Sequence, residues 1–160
     1  HSYSSAASDV YKRQLEGCYR LRDLDAASLE TCLWGALEWQ QRHQLDQLLP
    51  THLPIPSGRS AALRYDADDQ VVLAVKLQEM FGCGLGPYVL NGRLPVTLEL
   101  LSPAGRPLQR TRDLAGFWAG SYLDVRREMR GRYPKHPWPQ DPLKAVATAS
   151  TKGRVTVKDP

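Results

Sequence analysis

This 160-residue chain has no apolar run long enough to cross a membrane, and its first residues lack the apolar core of a secretory signal, so neither a transmembrane span nor a signal peptide is expected. Cysteine is scarce: Cys18, Cys32 and Cys83 are scattered, with no C-x-x-C pair, which excludes a disulfide framework and fits a reducing cytoplasm. A GxxxxGK[ST] phosphate loop is missing, and so is an Asp-Glu-Ala-His box, which excludes a nucleotide-triphosphate site of that type. Gly82-Cys83-Gly84-Leu85-Gly86-Pro87 is glycine-rich but lacks both the lysine and a following helix, and reads as a loop. His43, His52 and His136 do not share ligand spacing with each other or with the cysteines, so no metal site is expected. Cys83 lacks a neighbouring base and reads as a half-buried structural thiol. Glu79 reads as solvated, and Asp68 and Asp69 as turn residues rather than an acid–base pair. No catalytic residue is expected in this chain.

What is present is an uneven charge. Residues 15–103 carry 7 basic and 11 acidic side chains, a net of −4, whereas residues 104–135 carry 8 basic and 3 acidic, a net of +5. The overall +4 therefore hides a basic C-terminal third on an acidic body, the asymmetry of a polyanion-facing surface. The first 14 residues are set aside. Ser4 to Gln14, SSAASDVYKRQ, back-translates into a transposase sequencing adaptor, so the native frame is expected to begin near Leu15 and residues 1–14 to be disordered.

The patterning predicts an α+β fold. Residues 15–50 read as a helical segment, one broken helix or two, in which Trp34 and Trp39 pack among the leucines; apolar side chains between Leu24 and Leu49 are also left for a surface outside the chain. Pro50, Pro54 and Pro56 end that segment in an extended connector. Residues 51–139 read as a strand-rich domain, a small mostly antiparallel sheet or half-barrel. Its strands are Ala61–Tyr65, the nearly all-apolar Val71–Val75, Leu94–Leu101 and Arg106–Thr111, with a turn over Asp66–Gln70 and one or two helical turns over Lys76–Phe81. A long amphipathic helix over 113–131 closes the domain. Asp113 is its N-cap, Gly131 its C-cap, and Leu114, Phe117, Trp118, Tyr122, Val125 and Met129 form its apolar stripe. Three prolines among Tyr133–Pro139 predict an extended tail, and residues 140–160 a flexible one.

The candidate functional residues sit around that helix. Arg126, Arg127, Arg130 and Arg132 fall off the stripe, and Lys135 follows. Arginine suits phosphate because its planar fork bonds two oxygens at once. Tyr133 and Trp138 lie among basic residues and prolines, where they are placed to stack on unpaired bases. The alternative for the same pattern is a solvated arginine face whose aromatics cover the core. Arg106, Arg110 and Arg112 alternate along a strand and extend the basic surface if they share one face.

Five blocks in order carry a family resemblance over most of residues 21–142. They are Leu45–Pro50 with Ile55–Gly58; Val72–Gly82, reading VLAVKLQEMFG; Gly92–Leu98; Leu101–Gln109; and Asp113–Pro139, reading DLAGFWAGSYLDVRREMRGRYPKHPWP. In these the chain resembles the C-terminal part of the HrpB-type DEAH-box ATP-dependent RNA helicases of bacteria. The acidic hairpin of Asp66, Asp68 and Asp69 departs from that pattern, as do Cys83 and Gly84 to Gly86. The resemblance implies a cytoplasmic parent protein with two RecA-like motor domains and helical accessory domains upstream, hydrolysing ATP with Mg²⁺ between the motor domains. It implies that this chain holds no cofactor and works by covering the RNA path or positioning the motor domains. RNA and the upstream domains are the partners so implied. A protein-docking module or a purely structural brace is the alternative, with Pro134, Pro137 and Pro139 as a rigid recognition strip.

Overall fold

The computed structural model describes residues 26–66 and 70–150. The adaptor-like stretch, Cys18, Leu24, the Asp68–Asp69 turn and residues 151–160 lie outside the described residues. The chain divides into two compact units, residues 1–47 and 48–160.

In the first unit α1 (Ala26–Ala36) is followed by α2 (Trp39–Leu48). Two helices rather than one continuous rod form because Glu38 starts the second. Its carbonyl takes the Arg42 N–H at 3.0 Å, and the Gln41 side chain reaches back to the Glu38 N–H at 2.9 Å, the reciprocal half of a capping box. The tryptophans do not pack this segment as expected. Trp39 is 75 % exposed and only stacks on His43, and Leu29, Leu33 and Trp34 are exposed with it.

The second unit is built on a five-stranded sheet in the order β1 (His52–Pro54), β2 (Ser60–Asp66), β3 (Gln70–Lys76), β6 (Thr97–Leu101) and β7 (Pro107–Thr111), with a small hairpin of β4 (Tyr88–Val89) and β5 (Leu94–Pro95) beside it. The fold is α+β, as the patterning implies. Three of the four neighbour pairings in the large sheet are antiparallel; β3 and β6 are parallel, with Leu73 opposite Leu98 and Val75 opposite Leu100. A parallel pair needs a long crossover, and residues 77–96 supply it. Strand β3 is central, so Val71, Leu73 and Val75 enter the main core while Val72 is buried on the other face. Two strands escaped the sequence reading. β1 lies inside the proline connector, at the sheet edge where proline costs no ladder bond, and β4 directly follows the glycine loop. The strand expected over Leu94–Leu101 is divided. Leu94–Pro95 pairs with β4, the Val96 N–H donates to the Pro87 carbonyl at 2.9 Å, and the chain then passes to β3.

The closing helix is also divided, into α3 (Leu114–Ala119) and α4 (Tyr122–Arg132). Asp113 caps α3 as expected, its carboxylate accepting the Gly116 N–H at 2.8 Å. The break falls at Gly120, whose φ of −115° and ψ of −93° leave the helical region. A continuous helix over 113–131 is therefore not what forms, and Gly131 lies within α4 rather than at its end; Tyr133 ends α4 just before Pro134. The apolar stripe survives the break, since Leu114, Phe117, Trp118, Tyr122 and Met129 are all buried. Phe117, Trp118 and Tyr122 meet Phe81 in one aromatic cluster, with ring centroids 5.1–6.4 Å apart.

Glu79 overturns its sequence reading as a solvated acid. It is 1 % exposed on the 3₁₀ turn Leu77–Met80 and is gripped by Arg59 Nε at 2.8 Å and Arg59 Nη2 at 2.9 Å. The Lys76 N–H at 3.2 Å and the Ser57 hydroxyl at 3.4 Å complete its shell. Burial alone pushes the Glu79 carboxyl up, but the hydrogen bonds from Arg59, Lys76 and Ser57 together with the Arg59 charge hold it below the ordinary carboxylate range. The clasp fixes the 55–59 turn onto the start of the crossover. Beyond the helix, two backbone hydrogen bonds join residues 140–150 to the crossover. The Gly82 N–H donates to the Pro142 carbonyl at 2.9 Å, and the Thr148 N–H to the Gln78 carbonyl at 3.0 Å. Among the described residues no helix is long and apolar enough to cross a membrane.

Candidate nucleic-acid interface

The candidate surface lies on α4. Tyr122, Val125 and Met129 hold one side of the helix to the core, so the residues between them are turned outward. Leu123, Arg126, Arg127, Arg130 and Gly131 line an open groove of about 440 Å³ along that outer side. The expected arginine face therefore exists, but its members differ in what they do.

Arg126 is half-buried, and its Nε donates to the Trp138 carbonyl at 2.9 Å. It fastens the proline tail to the helix and is a structural arginine first. Arg127 is exposed and reaches Asp124 at 3.1 Å, and Arg132 reaches Glu128 at 3.1 Å. Both are solvent-exposed pairs one helical turn apart, worth only about 0.3–0.5 kcal/mol each, so either arginine can exchange its carboxylate for a phosphate. The exposed guanidinium of Arg130 and ammonium of Lys135 have no acidic partner among the described residues.

The aromatic candidates separate sharply. Trp138 is 5 % exposed, packed in the main core, with its indole N–H donating to the Tyr133 carbonyl at 2.9 Å. An indole so enclosed has no free face for a base, which corrects its reading as a stacking platform. The tail is not an extended strip but a buckle. Its prolines turn the chain back, Trp138 plugs the core, and the Pro139 carbonyl accepts the Tyr122 hydroxyl at 2.7 Å. Burial pushes the Tyr122 phenol up to about 12. Tyr133 is half-buried and meets His136 edge-on, with centroids 6.3 Å apart. Burial, with a smaller push from the Lys76 charge, lowers the His136 imidazole from its ordinary value.

The strand arginines do not form one uniform extension. Arg110 lies opposite Glu99 in register, 3.2 Å from Gln70 Oε1 and 3.9 Å from Asp66, which also takes Arg64 at 2.9 Å. Arg112 donates to Thr97 Oγ1 at 3.0 Å. Arg106 alone turns toward α4, beside Arg132 and Tyr133. The sequence carries no signal for the partners of Arg110 and Arg112, which come from strands 15 and 40 residues away. Cys83 is half-buried, its thiol donating to the Leu85 carbonyl at 3.0 Å and its carbonyl accepting the Trp118 indole at 2.7 Å, in keeping with a structural thiol. Among the described residues no three His, Cys, Asp or Glu are grouped to hold a metal.

The second unit is thus an α+β domain with arginines along the outer side of its last helix, and comparison places the chain more closely. The sequence model of the family described as ATP-dependent helicase C-terminal (HrpB_C) matches residues 11–142. The Escherichia coli K12 ATP-dependent RNA helicase HrpB is 48 % identical over 138 residues, which are 86 % of this chain and 17 % of that protein. The crystal structure of the E. coli DExH-box NTPase HrpB is similar with a TM-score of 0.75 and 42 % identity, over 94 % of this chain and 20 % of that one. A crystal structure of the E. coli DEAH/RHA helicase HrpB gives a TM-score of 0.58 and 44 % identity, over 83 % and 17 %. The chain belongs to the HrpB-type ATP-dependent helicase C-terminal family and spans about a sixth of the curated relative it matches.

Proposed function

We propose that this chain works as the C-terminal accessory domain of an ATP-dependent RNA helicase, contributing an RNA-contacting surface while ATP and Mg²⁺ are handled by motor domains of the longer protein. The observation that carries the reading is the outer side of α4. There Arg127 and Arg130 stand exposed at an open groove, and the exposed Lys135 follows the helix; Arg130 and Lys135 have no acidic partner among the described residues. Free guanidinium and ammonium groups on a rigid helix displace counterions from a phosphate backbone without breaking anything in the fold. Arg126 is held to the tail and serves as the anchor of that face.

The test is RNA binding by the 160-residue chain, titrated against salt. The log of the affinity falls linearly with the log of the salt concentration, and Arg127→Glu with Arg130→Glu weakens binding at least about tenfold while lowering the salt slope by about 1.4. Undiminished binding by that variant overturns the reading. A second reading has its own observation. The exposed Leu29, Leu33, Trp34 and Trp39 on α1 and α2 suit a brace that packs on other parts of a longer protein. A folded chain that binds no RNA at low salt transfers the function to that role.

A further inference from the structure

The turn joining β6 to β7 and the last turn of α4 stand side by side and enclose an open cleft of about 230 Å³, lined by Ser102, Arg106, Leu108, Glu128, Arg132 and Tyr133 among others. Both walls are fixed before any ligand arrives. On the turn, the Ser102 N–H donates to the Arg106 carbonyl at 2.8 Å, and the Ser102 hydroxyl accepts the Arg106 N–H at 3.0 Å. Gly105 closes that turn with a φ of +80°, a conformation glycine adopts without strain. On the helix, the Tyr133 N–H donates to the Met129 carbonyl at 2.8 Å, while the Tyr133 carbonyl accepts the His136 N–H at 3.1 Å and the Trp138 indole at 2.9 Å. Tyr133 is thus held by its backbone on both sides; it is half-buried against the core, with the cleft on its remaining side and its hydroxyl without a hydrogen-bond partner among the described residues. The exposed Arg106 guanidinium has no side-chain partner among the described residues either. Arg132 pairs with Glu128 at 3.1 Å, but both side chains are mostly in water, so the pair gives way readily.

We propose that this cleft holds one unpaired nucleotide of single-stranded RNA, with its base stacked on Tyr133 and the phosphates on either side taken by Arg106 and Arg132. The inference rests on the RNA reading above and makes it specific. A partly buried ring lining a cleft reaches a base only when that base is splayed out of a helix, which selects single strands over duplex. A pre-fixed ring also loses little freedom on binding. Phosphate alone would need only the arginines; the ring between them is what asks for a base.

The test uses the 160-residue chain with a labelled single-stranded oligouridylate and a blunt-ended RNA duplex of matched phosphate number, followed by anisotropy, with tryptophan emission reporting the fold. Tyr133→Leu weakens single-strand binding about tenfold and leaves duplex binding in place, while Tyr133→Phe, which keeps the ring, binds as the parent does. Arg106→Glu, on an exposed turn residue without a side-chain partner, also weakens single-strand binding and serves if Tyr133→Leu does not fold. Parental single-strand affinity in a folded Tyr133→Leu or Arg106→Glu chain overturns the cleft. If in addition the Arg127 and Arg130 variant loses binding, the arginine face stands without it; a parent that binds no RNA at low salt overturns both.

Discussion

Replacing Glu79 by glutamine keeps the side-chain volume and removes only the charge, so it isolates the buried clasp. In the parent both carboxylate oxygens face Arg59 donors, at 2.8 and 2.9 Å, and the Lys76 N–H adds a third bond at 3.2 Å. A glutamine can satisfy one Arg59 N–H with its carbonyl, but its amide N–H₂ then faces the other arginine donor. Breaking a wholly buried ion pair costs about 3–5 kcal/mol. Arg59 is 52 % exposed, so water relieves part of that cost. The expected destabilisation is therefore about 2–3 kcal/mol, from one lost charge-assisted bond and one buried donor without an acceptor. For a chain of this size that lowers the melting temperature by roughly 5–10 °C.

The pH dependence supplies the sharper test. The Glu79 carboxyl is held below its ordinary value, so its stabilising contribution is fully present above the unfolded carboxylate value of about 4.3 and is lost as the pH falls through the lower folded value. Arg59→Ala leaves the burial of Glu79 and removes its chief hydrogen-bond donor and nearest charge, which reverses the shift. In that variant protonation relieves the buried carboxylate, and the stability gap between variant and parent narrows as the pH falls from 7 to 4. Urea titrations followed by tryptophan emission measure both quantities. A Glu79→Gln chain within about 0.5 kcal/mol of the parent at pH 7, the scale of an ordinary surface change, together with an Arg59→Ala gap that does not narrow, refutes the argument.

Two further outcomes follow from the tail. Trp138→Ala empties a core site and strips the Tyr133 carbonyl of its indole donor, and costs about 3–5 kcal/mol in urea unfolding; a loss below 1 kcal/mol would mean the indole is not core. His136 is held below its ordinary value by burial and by Lys76, so the unfolded chain takes up the proton first and stability falls as the pH drops below about 6.5. His136→Gln removes that part of the decline, and melting curves between pH 5 and 8 that coincide in shape for parent and variant would show that the ring does not titrate against the fold.

Periodicity gave up the core of this fold and not its corners. The apolar positions of β3 and the stripe from Leu114 to Met129 were readable because burial on a regular element repeats at fixed spacing. The interruption of that stripe at Gly120 was not, since the same apolar spacing is compatible with a straight helix, and only the packing of Trp118 and Tyr122 around Phe81 uses the bend. Glu79 was misread for a related reason. A glutamate after an apolar strand is usually solvated, and the arginine that buries it lies 20 residues earlier, on a turn that pairing of β1 with β2 brings near. Strand β1 hid among prolines because its edge position removes the penalty that normally bars proline from a strand.

The basic face shows why counting arginines in the sequence overstates the surface they make. Of those that gave the C-terminal third its charge, Arg126 spends its hydrogen bond on the Trp138 carbonyl, Arg112 on Thr97, and Arg110 is drawn to Gln70 and Asp66. What is left for a polyanion is Arg127, Arg130 and Arg132 on α4, Arg106 on the turn beside it, and Lys135 beyond the helix end. The arginines tied into the fold hold the free ones in place: Arg126 fixes the buckle that seats Trp138, Trp138 fixes the Tyr133 carbonyl, and Tyr133 then stands across the cleft from Arg106. A substitution at Arg126 therefore acts on RNA through the geometry of its neighbours, and its effect on binding should scale with its effect on stability. Arg130 and Arg106, whose side chains have no partner among the described residues, should change affinity while leaving stability where it was.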